Sequence, residues 1–365
     1  MKNTIGQNVT LTLFGESHGP YVGATLDGVM PGIKVDEEYI SMELSKRRPT
    51  GKNETSRIEQ DEFQIISGVF EGFTTGAPLT IIIPNNNVKS KDYDLVKSIA
   101  RPSHADFVAH EKYLGFNDYR GGGHFSGRVT AAIVAVGAIL KKALEDKNIY
   151  IGTHIKQVGQ VKDVDFNNHL QEIKALQNKK FPVINDIEEE VISEITKTTK
   201  DGDSIGGILQ TAITGLPIGL GDPWFSSVEG LIANACFSIG GVKGIEFGKG
   251  FAVVNETGKT FNDELYYENN KVYTKTNNNS GINGGITNSM PVVFNLAIKP
   301  TPSISIPQDT IDFVKKENTT ISITGRHDPA IIRRIGIVID NLMAIVIADM
   351  LYSKYGCYFL NFEVK

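Results

Sequence analysis

Three short stretches gather side chains that could do chemistry, and each lies at a break between regular elements. The first is Gly15-Glu16-Ser17-His18-Gly19, a hydroxyl and an imidazole between glycines. It matches G-x-S-x-G, the turn that presents a serine hydrolase nucleophile between a strand and a helix. A strand before it is expected, but Pro20 and the alternating run Tyr21 to Leu26 point to a second strand, not a helix. A hydrolase using Ser17 therefore stands only as an alternative. The other readings are a plain polar turn and a turn whose Ser17 and His18 line a pocket, where His18 can donate a proton near neutral pH.

The second stretch runs from Arg120 through Gly121-Gly122-Gly123 and His124-Phe125-Ser126-Gly127-Arg128 into a long apolar run, with no charge between Thr130 and Leu140. A helix apolar on every face must be buried on every face, so this reads as a central core helix delivered by a glycine loop. Its start offers unpaired N–H groups and the positive end of the helix dipole. With Arg120 and Arg128 beside it, that is an anion site; the plainer reading is a turn capped by Ser126. The stretch half-resembles a nucleotide phosphate loop. However, Arg128 stands where lysine is required and Val129 cannot supply a hydroxyl to magnesium. Nucleotide hydrolysis is rejected and phosphate binding retained. The third stretch, Gly325-Arg326-His327-Asp328-Pro329, precedes an apolar helix. Asp328 can cap that helix with Pro329 in its first turn, or Arg326 can hold an anion while Asp328 moves a proton.

These turns need elements to position them. Alternation predicts strands at Val9–Phe14, Tyr21–Leu26, Phe63–Phe70, Ala77–Ile83, Ile149–Val158, Val161–Phe166, Asp203–Thr214 and Pro291–Ile298. Helices are expected at Asp36–Arg48, at Ile184–Thr199, at Ser227–Phe237 and from Ala330 to about Tyr352, besides the central one. Pro84–Tyr93 reads as a loop rich in Asn and Lys, and Arg101–Asp106 as a loop entering a helix. Thr50–Asp61 and the polar Phe261–Asn283 read as candidate lids. Strands and helices mix without steady βαβ alternation, so an α+β fold in one domain, residues 1–365, is expected.

Composition narrows the function. The 365 residues are 40% hydrophobic and 22% charged with a net charge of −5, which gives nucleic-acid binding no electrostatic support. The arginines instead gather in a few loops, which suits a small phosphorylated substrate. Two cysteines suggest neither a disulfide framework nor a metal motif. No secretory pattern opens the chain and no apolar run reaches the length of a membrane span. A reducing cytoplasm is the default expectation.

Read in order, several stretches resemble the signatures of the chorismate synthases. They are Asn3–Gln7 with Phe14–Gly19, Arg101–Asp106, Asp118–Gly123, Ser238–Gly244, Gly284-Gly285, Lys299-Pro300-Thr301 and Gly325–Pro329. The resemblance covers nearly the whole chain. It implies a sandwich with central helices between antiparallel β-sheets, assembled as a homotetramer. It implies conversion of 5-enolpyruvylshikimate 3-phosphate to chorismate and phosphate by a 1,4-elimination that needs reduced FMN. NADPH would enter only as the flavin's reductant, and the lack of a dinucleotide fingerprint favours an external one.

Carried over residue by residue, the resemblance assigns His18 to protonation of the leaving phosphate. It puts Ser17 and Ser126 near flavin and substrate, His104 beside the flavin, and Asp328 at removal of the C6 proton. Flavin contacts would come from His124, Phe125, Ser126, Ser238, Gly240, Gly241, Gly284, Lys299, Pro300, Thr301, Pro302, Ser303 and Arg326. Substrate contacts would come from Arg47, Arg48 and Lys52, and the anion-site reading adds Arg120 and Arg128. The chain departs from the family at His124, where arginine is usual, and at Gly127 and Val129, where alanine and glutamate are usual. Lys52 takes the place of a further arginine, and Ser280 that of a glycine.

Overall fold

The computed structural model describes residues 2–49, 60–86, 97–323 and 328–360. Period-two alternation builds its first sheet. The strands are β1 (Thr4–Ile5), β2 (Thr10–Gly15), β3 (Tyr21–Asp27), β4 (Gln64–Ser67) and β7 (Leu79–Pro84), with a small hairpin of β5 (Val69–Phe70) and β6 (Phe73–Thr74) before β7. All neighbours in the order β1-β2-β3-β7-β4 pair antiparallel. One face buries Leu11, Val22, Ala24, Leu26, Leu79, Ile81 and Ile83. Helix α1 (Glu37–Ser45) starts where the Asp36 carboxylate accepts the Tyr39 N–H at 2.9 Å.

The second sheet, β8 (Tyr150–Val158), β9 (Val161–Lys162), β10 (Gly207–Thr214), β11 (Val242–Phe247) and β16 (Val292–Ile298), is also antiparallel, in the order β11-β16-β10-β8-β9. Against it lie α4 (His169–Leu176), α5 (Glu188–Lys200) and α6 (Val228–Phe237); α2 (Asp106–Lys112) and the single turn α7 (Gly258–Phe261) are the other short helices. Three further hairpins are β12–β13 (Leu265–Glu268, Lys271–Thr274), β14–β15 (Ile282–Asn283, Ile286–Thr287) and β17–β18 (Gln308–Asp312, Glu317–Ile321).

Between the sheets run α3 (Thr130–Glu145) and α8 (Ile332–Tyr355). Helix α3 packs on β3 and β7, α8 packs on β8 and β10, and the two helices pack on each other. Every residue of α3 from Ala131 to Lys141 is buried, as the uncharged run requires. At the crossing, a Cβ added to Gly137 would lie 2.4 Å from the Asn341 carbonyl oxygen. Gly137→Ala would gain ~1 kcal/mol of helix propensity, but overpacking against backbone costs ~1–3 kcal/mol because no rotamer can relieve it. A net loss of stability is the expected outcome. A urea midpoint at or above that of the parent chain would show that the helices separate freely.

The structure corrects several expectations. Helix α5 begins at Glu188, not Ile184, because the Asp163 carboxylate accepts the Ile184 and Asn185 N–H groups at 2.6 and 3.2 Å and holds that segment as a turn. Helix α4, strand β11 and the β17–β18 hairpin were not expected, and the Val161–Phe166 strand shortens to Val161–Lys162. One apolar helix does reach the length of a membrane span: α8 has 24 residues and a mean hydropathy of 1.9 over its most apolar window. That window is 94% buried within the protein, so its apolarity serves the core.

Candidate active site

The turn carrying Ser17 and His18 links β2 to β3, so a strand follows the serine. The nucleophile-elbow reading needs a helix there and is set aside. Ser17 and His18 are both buried, and the Ser17 N–H donates to the Gly123 carbonyl at 3.0 Å. The glycine loop is thereby laid against the turn. A Cβ on Gly121 would lie 2.2 Å from His18 Cε1 and 2.8 Å from Ser17 Oγ, and Gly121 has φ of 59°. Only glycine allows the backbone to lie flat against the imidazole in that conformation. Ser17 Oγ has no hydrogen-bond partner among the described residues, which suits a hydroxyl waiting for a ligand.

His124 also faces the turn: its Nδ1 donates to the Gly15 carbonyl at 2.8 Å. Its ring joins the loop to the turn, in a place where the family resemblance suggested a flavin contact. Phe125 is 46% exposed beside Tyr113. Ser126 caps the short 3-10 turn Gly127–Val129 by accepting the Arg128 N–H at 3.3 Å, as the plainer reading expected.

On the other side of the loop stands His104. A Cβ on Gly122 would lie 3.6 Å from His104 Nε2 and 3.9 Å from Ser126 Cβ. His104 Nδ1 is 2.7 Å from Asp106 Oδ1 and 3.1 Å from Arg101 NH2, which hold the ring with its other edge towards the loop. Asp106 also accepts Arg101 Nε and NH2 at 2.8 and 2.7 Å. Burial opposes its ionisation, but the bonds from Arg101 and His104 outweigh this and hold the carboxyl well below the usual range. Arg101 NH1 continues to Ser303 Oγ at 3.2 Å, and Lys299 Nζ donates to the Ser103 carbonyl at 2.6 Å. The Lys299–Ser303 segment is thus fastened to the His104 loop. Lys299 N–H reaches the Gly241 carbonyl at 2.9 Å, which adds the Ser238–Gly241 end of α6. Burial, then the charge of Lys243, holds Lys299 below the usual lysine range.

The arginines divide. Arg47 and Arg128 are buried and share one carboxylate, Asp61, at 3.2 Å from Arg47 NH1 and in a short contact with Arg128 NH1. Arg47 also donates to the Gly127 carbonyl at 3.1 Å, and Arg128 to Asn85 Oδ1 and the Pro84 carbonyl at 2.9 and 3.0 Å. The anion that these two hold is therefore Asp61, where the sequence suggested a substrate. Arg120 is 42% exposed and pairs in bidentate fashion with Asp118, both contacts at 2.8 Å. Arg120, and less strongly the charge of His18, keep Asp118 below the usual carboxylate range. Arg48 donates to the Gln60 carbonyl. Asp328 is buried, pairs with Arg334 and accepts the Ala330 N–H at 3.3 Å. Next to it, Arg333 donates to the carbonyls of Lys46 (2.6 Å) and Arg48, which ties the start of α8 to the end of α1.

Two of the expected flavin contacts stand apart within the chain. Gly284 precedes Gly285, whose carbonyl accepts the Val228 N–H at the start of α6, whereas Ser238 caps its end. Ten residues of helix, about 15 Å, separate them within one chain. Lys52 and Arg326 lie outside the described residues. Sequence reasoning missed Asp61 and Asn85, which gave no signal beyond lying in polar loops.

The fold is a helix-centred α+β sandwich that brings two histidines, and a Ser17 hydroxyl with no partner among the described residues, against one glycine loop. The family model for chorismate synthase matches residues 9–352. Curated relatives named chorismate synthase include those of Pyrococcus abyssi, 43% identical over 96% of this chain and 97% of the relative, and of Methanobrevibacter smithii, 44% identical over 97% and 98%. A solved structure described as a crystal structure of chorismate synthase superposes with a TM-score of 0.76 at 28% identity, covering 96% of this chain and 94% of that one. The chain belongs to the chorismate synthase family.

Proposed function

We propose that this chain is a lyase that converts 5-enolpyruvylshikimate 3-phosphate to chorismate and phosphate with reduced FMN as cofactor. The observation that carries the reading is the convergence of Ser17, His18, His104 and Ser126 on one glycine loop, with the His104 loop fastened to the cationic Lys299–Ser303 segment. The residues present suit a flavin phosphate and ring. Thr301 Oγ1 is buried with no partner among the described residues, Lys243 and Lys299 are neighbouring cations, and nothing lies within 4 Å of a Cβ built on Gly240. Lys299, Pro300, Thr301, Pro302, Ser303, Gly240 and Gly241 would hold the cofactor, with Ser126 and Phe125 at its edge. Arg326, Ser238 and Gly284 keep this assignment by family resemblance.

When bound, reduced FMN supplies electron density that favours departure of phosphate. The chain does the rest. The C3–O bond breaks with its electron pair going to phosphate, and His18 gives that oxygen a proton. The C6–H bond breaks and its electrons enter the ring diene, so the reaction carries no net oxidation. Asp328, fixed by Arg334 and the Ala330 N–H, is the proposed acceptor side. Arg120 and Arg48 offer the more open cations for the substrate anion, and charge-assisted contacts of that kind contribute ~1.5–3 kcal/mol each. His104, oriented by Asp106, keeps the cofactor side of the pocket in one protonation pattern. NADPH would serve only as the source of reducing equivalents for the flavin. We take the assembly to be a homotetramer, a reading supported by the fully exposed Phe225 and the 88%-exposed Trp224.

The test is anaerobic. The purified chain, chemically reduced FMN and 5-enolpyruvylshikimate 3-phosphate are mixed, and chorismate and phosphate are followed together. Equimolar release that depends on reduced flavin is expected. Tight flavin binding without product would replace the lyase with a binding protein.

A further inference from the structure

We propose that Asn85 is a positioning residue for His18, and that Arg128 locks Asn85 in the one amide orientation that performs this task. The inference rests on the role given to His18 above. Asn85 is the first residue after β7, and its backbone N–H donates to the Pro20 carbonyl at 3.1 Å. Its side-chain Nδ2 donates to the carbonyls of Glu16 at 2.9 Å and Gly19 at 2.8 Å. Those two carbonyls bracket Ser17 and His18, and the turn closes on itself through Gly19 N–H to Glu16 O at 3.1 Å. One side chain thus grips both ends of the turn that bears the imidazole.

The orientation is unambiguous. Carbonyls only accept and a guanidinium only donates, so the amide NH2 must face the turn and Oδ1 must face Arg128. Arg128 Nε donates to that oxygen at 2.9 Å. Arg128 is itself held by Asp61 and the Pro84 carbonyl, at the head of the glycine loop's exit into α3. The contacts therefore run from α3 through Arg128 and Asn85 to the His18 turn. On the facing side the imidazole rests against Gly121. The ring is clamped between a loop and a turn that Arg128 and Asn85 hold in register. In the sequence Asn85 lies in a polar loop with no task and Arg128 suits a substrate anion; the geometry gives both a different task.

The test compares Asn85→Asp and Asn85→Ala with the parent chain, reading turnover and the NMR titration of the His18 ring, assigned with His18→Gln. Asn85→Asp keeps the shape and an acceptor for Arg128, but it turns an oxygen towards two carbonyl oxygens. Both variants should lose turnover on the order of 100-fold, the loss that a misplacement of about 1 Å produces. KM for the substrate should stay near that of the parent, and the His18 titration should shift. Asn85→Asp carries the test if Asn85→Ala fails to fold. Parental turnover with an unmoved His18 titration in Asn85→Asp would overturn the proposal and leave Asn85 a mere support for Arg128. If the parent chain shows no turnover, the lyase reading falls, and the His18 titration alone still decides whether Asn85 sets the ring's surroundings.

Discussion

Lys141→Met should unfold with about 3–5 kcal/mol less stability than the parent chain at pH 7, the loss typical of removing one partner from a buried ion pair. Lys141 is 2% exposed inside α3, and its Nζ lies 2.8 Å from Glu43 Oε2 on α1 and 3.8 Å from Asp340 Oδ2 on α8. Asn341 Nδ2 donates to the same Glu43 oxygen at 2.9 Å, and Asp340 accepts Thr153 Oγ1 at 2.6 Å from β8. Three helices and a sheet thus meet on one charge cluster. Burial alone would raise the Glu43 pKa, but Lys141 and then Lys46 outweigh it and lower it to about 2. Burial raises Asp340 to about 6 even with Lys141 opposing the rise.

A depressed carboxyl contributes stability that is present above its unfolded value, 4.5, and is lost as pH falls towards about 2. In the variant, Glu43 loses its main counterion and is left charged and buried at pH 7, with Lys46 as partial relief. As pH falls it takes up a proton, and the gap between variant and parent should narrow. Urea midpoints at pH 7 and pH 4.5 read this directly. An equal gap at both values would mean that lost packing, and not the charge, causes the destabilisation.

Lys141 also shows where the sequence stops being legible. The run from Thr130 to Leu140 announced a buried helix because burial on all faces is a local property of the pattern. Lys141 and Lys142 follow side by side, yet Lys141 is buried and Lys142 is not. The difference lies in Glu43, ninety-eight positions earlier, and no local pattern carries it. The same limit applied at the site. The glycine loop, the Ser17-His18 turn and the Arg101–Asp106 loop were readable because turns that break strong elements stand out. Asp61 was not, so Arg47 and Arg128 looked like cations waiting for a ligand when a buried carboxylate already engages both. Likewise, Gly284 and Gly241 belong to one family pattern yet lie at opposite ends of α6. Order along the chain does not give distance in space.

His18→Ala should lower kcat by roughly 10²- to 10⁴-fold, the span that a positioned general acid supplies, while flavin affinity stays near that of the parent. On the proposed reading the phosphate would leave as an anion, and without the imidazole its charge would be met by fixed cations such as Arg120. Those cations stabilise the charge without transferring a proton, so catalysis should fall without vanishing. Gly121→Ala separates the proton from its placement. The new Cβ would lie 2.2 Å from His18 Cε1 and 2.3 Å from Nδ1, on a backbone with φ of 59°. The ring must move while remaining able to titrate. A loss in Gly121→Ala comparable to that in His18→Ala would mean that the imidazole acts only from the position the glycine loop permits. Turnover near that of the parent in His18→Ala would remove His18 from the reaction. Should Gly121→Ala still fail in that case, the glycine loop would matter for how it meets the substrate, and Ser17, 2.8 Å from the same added carbon, would become the next group to replace.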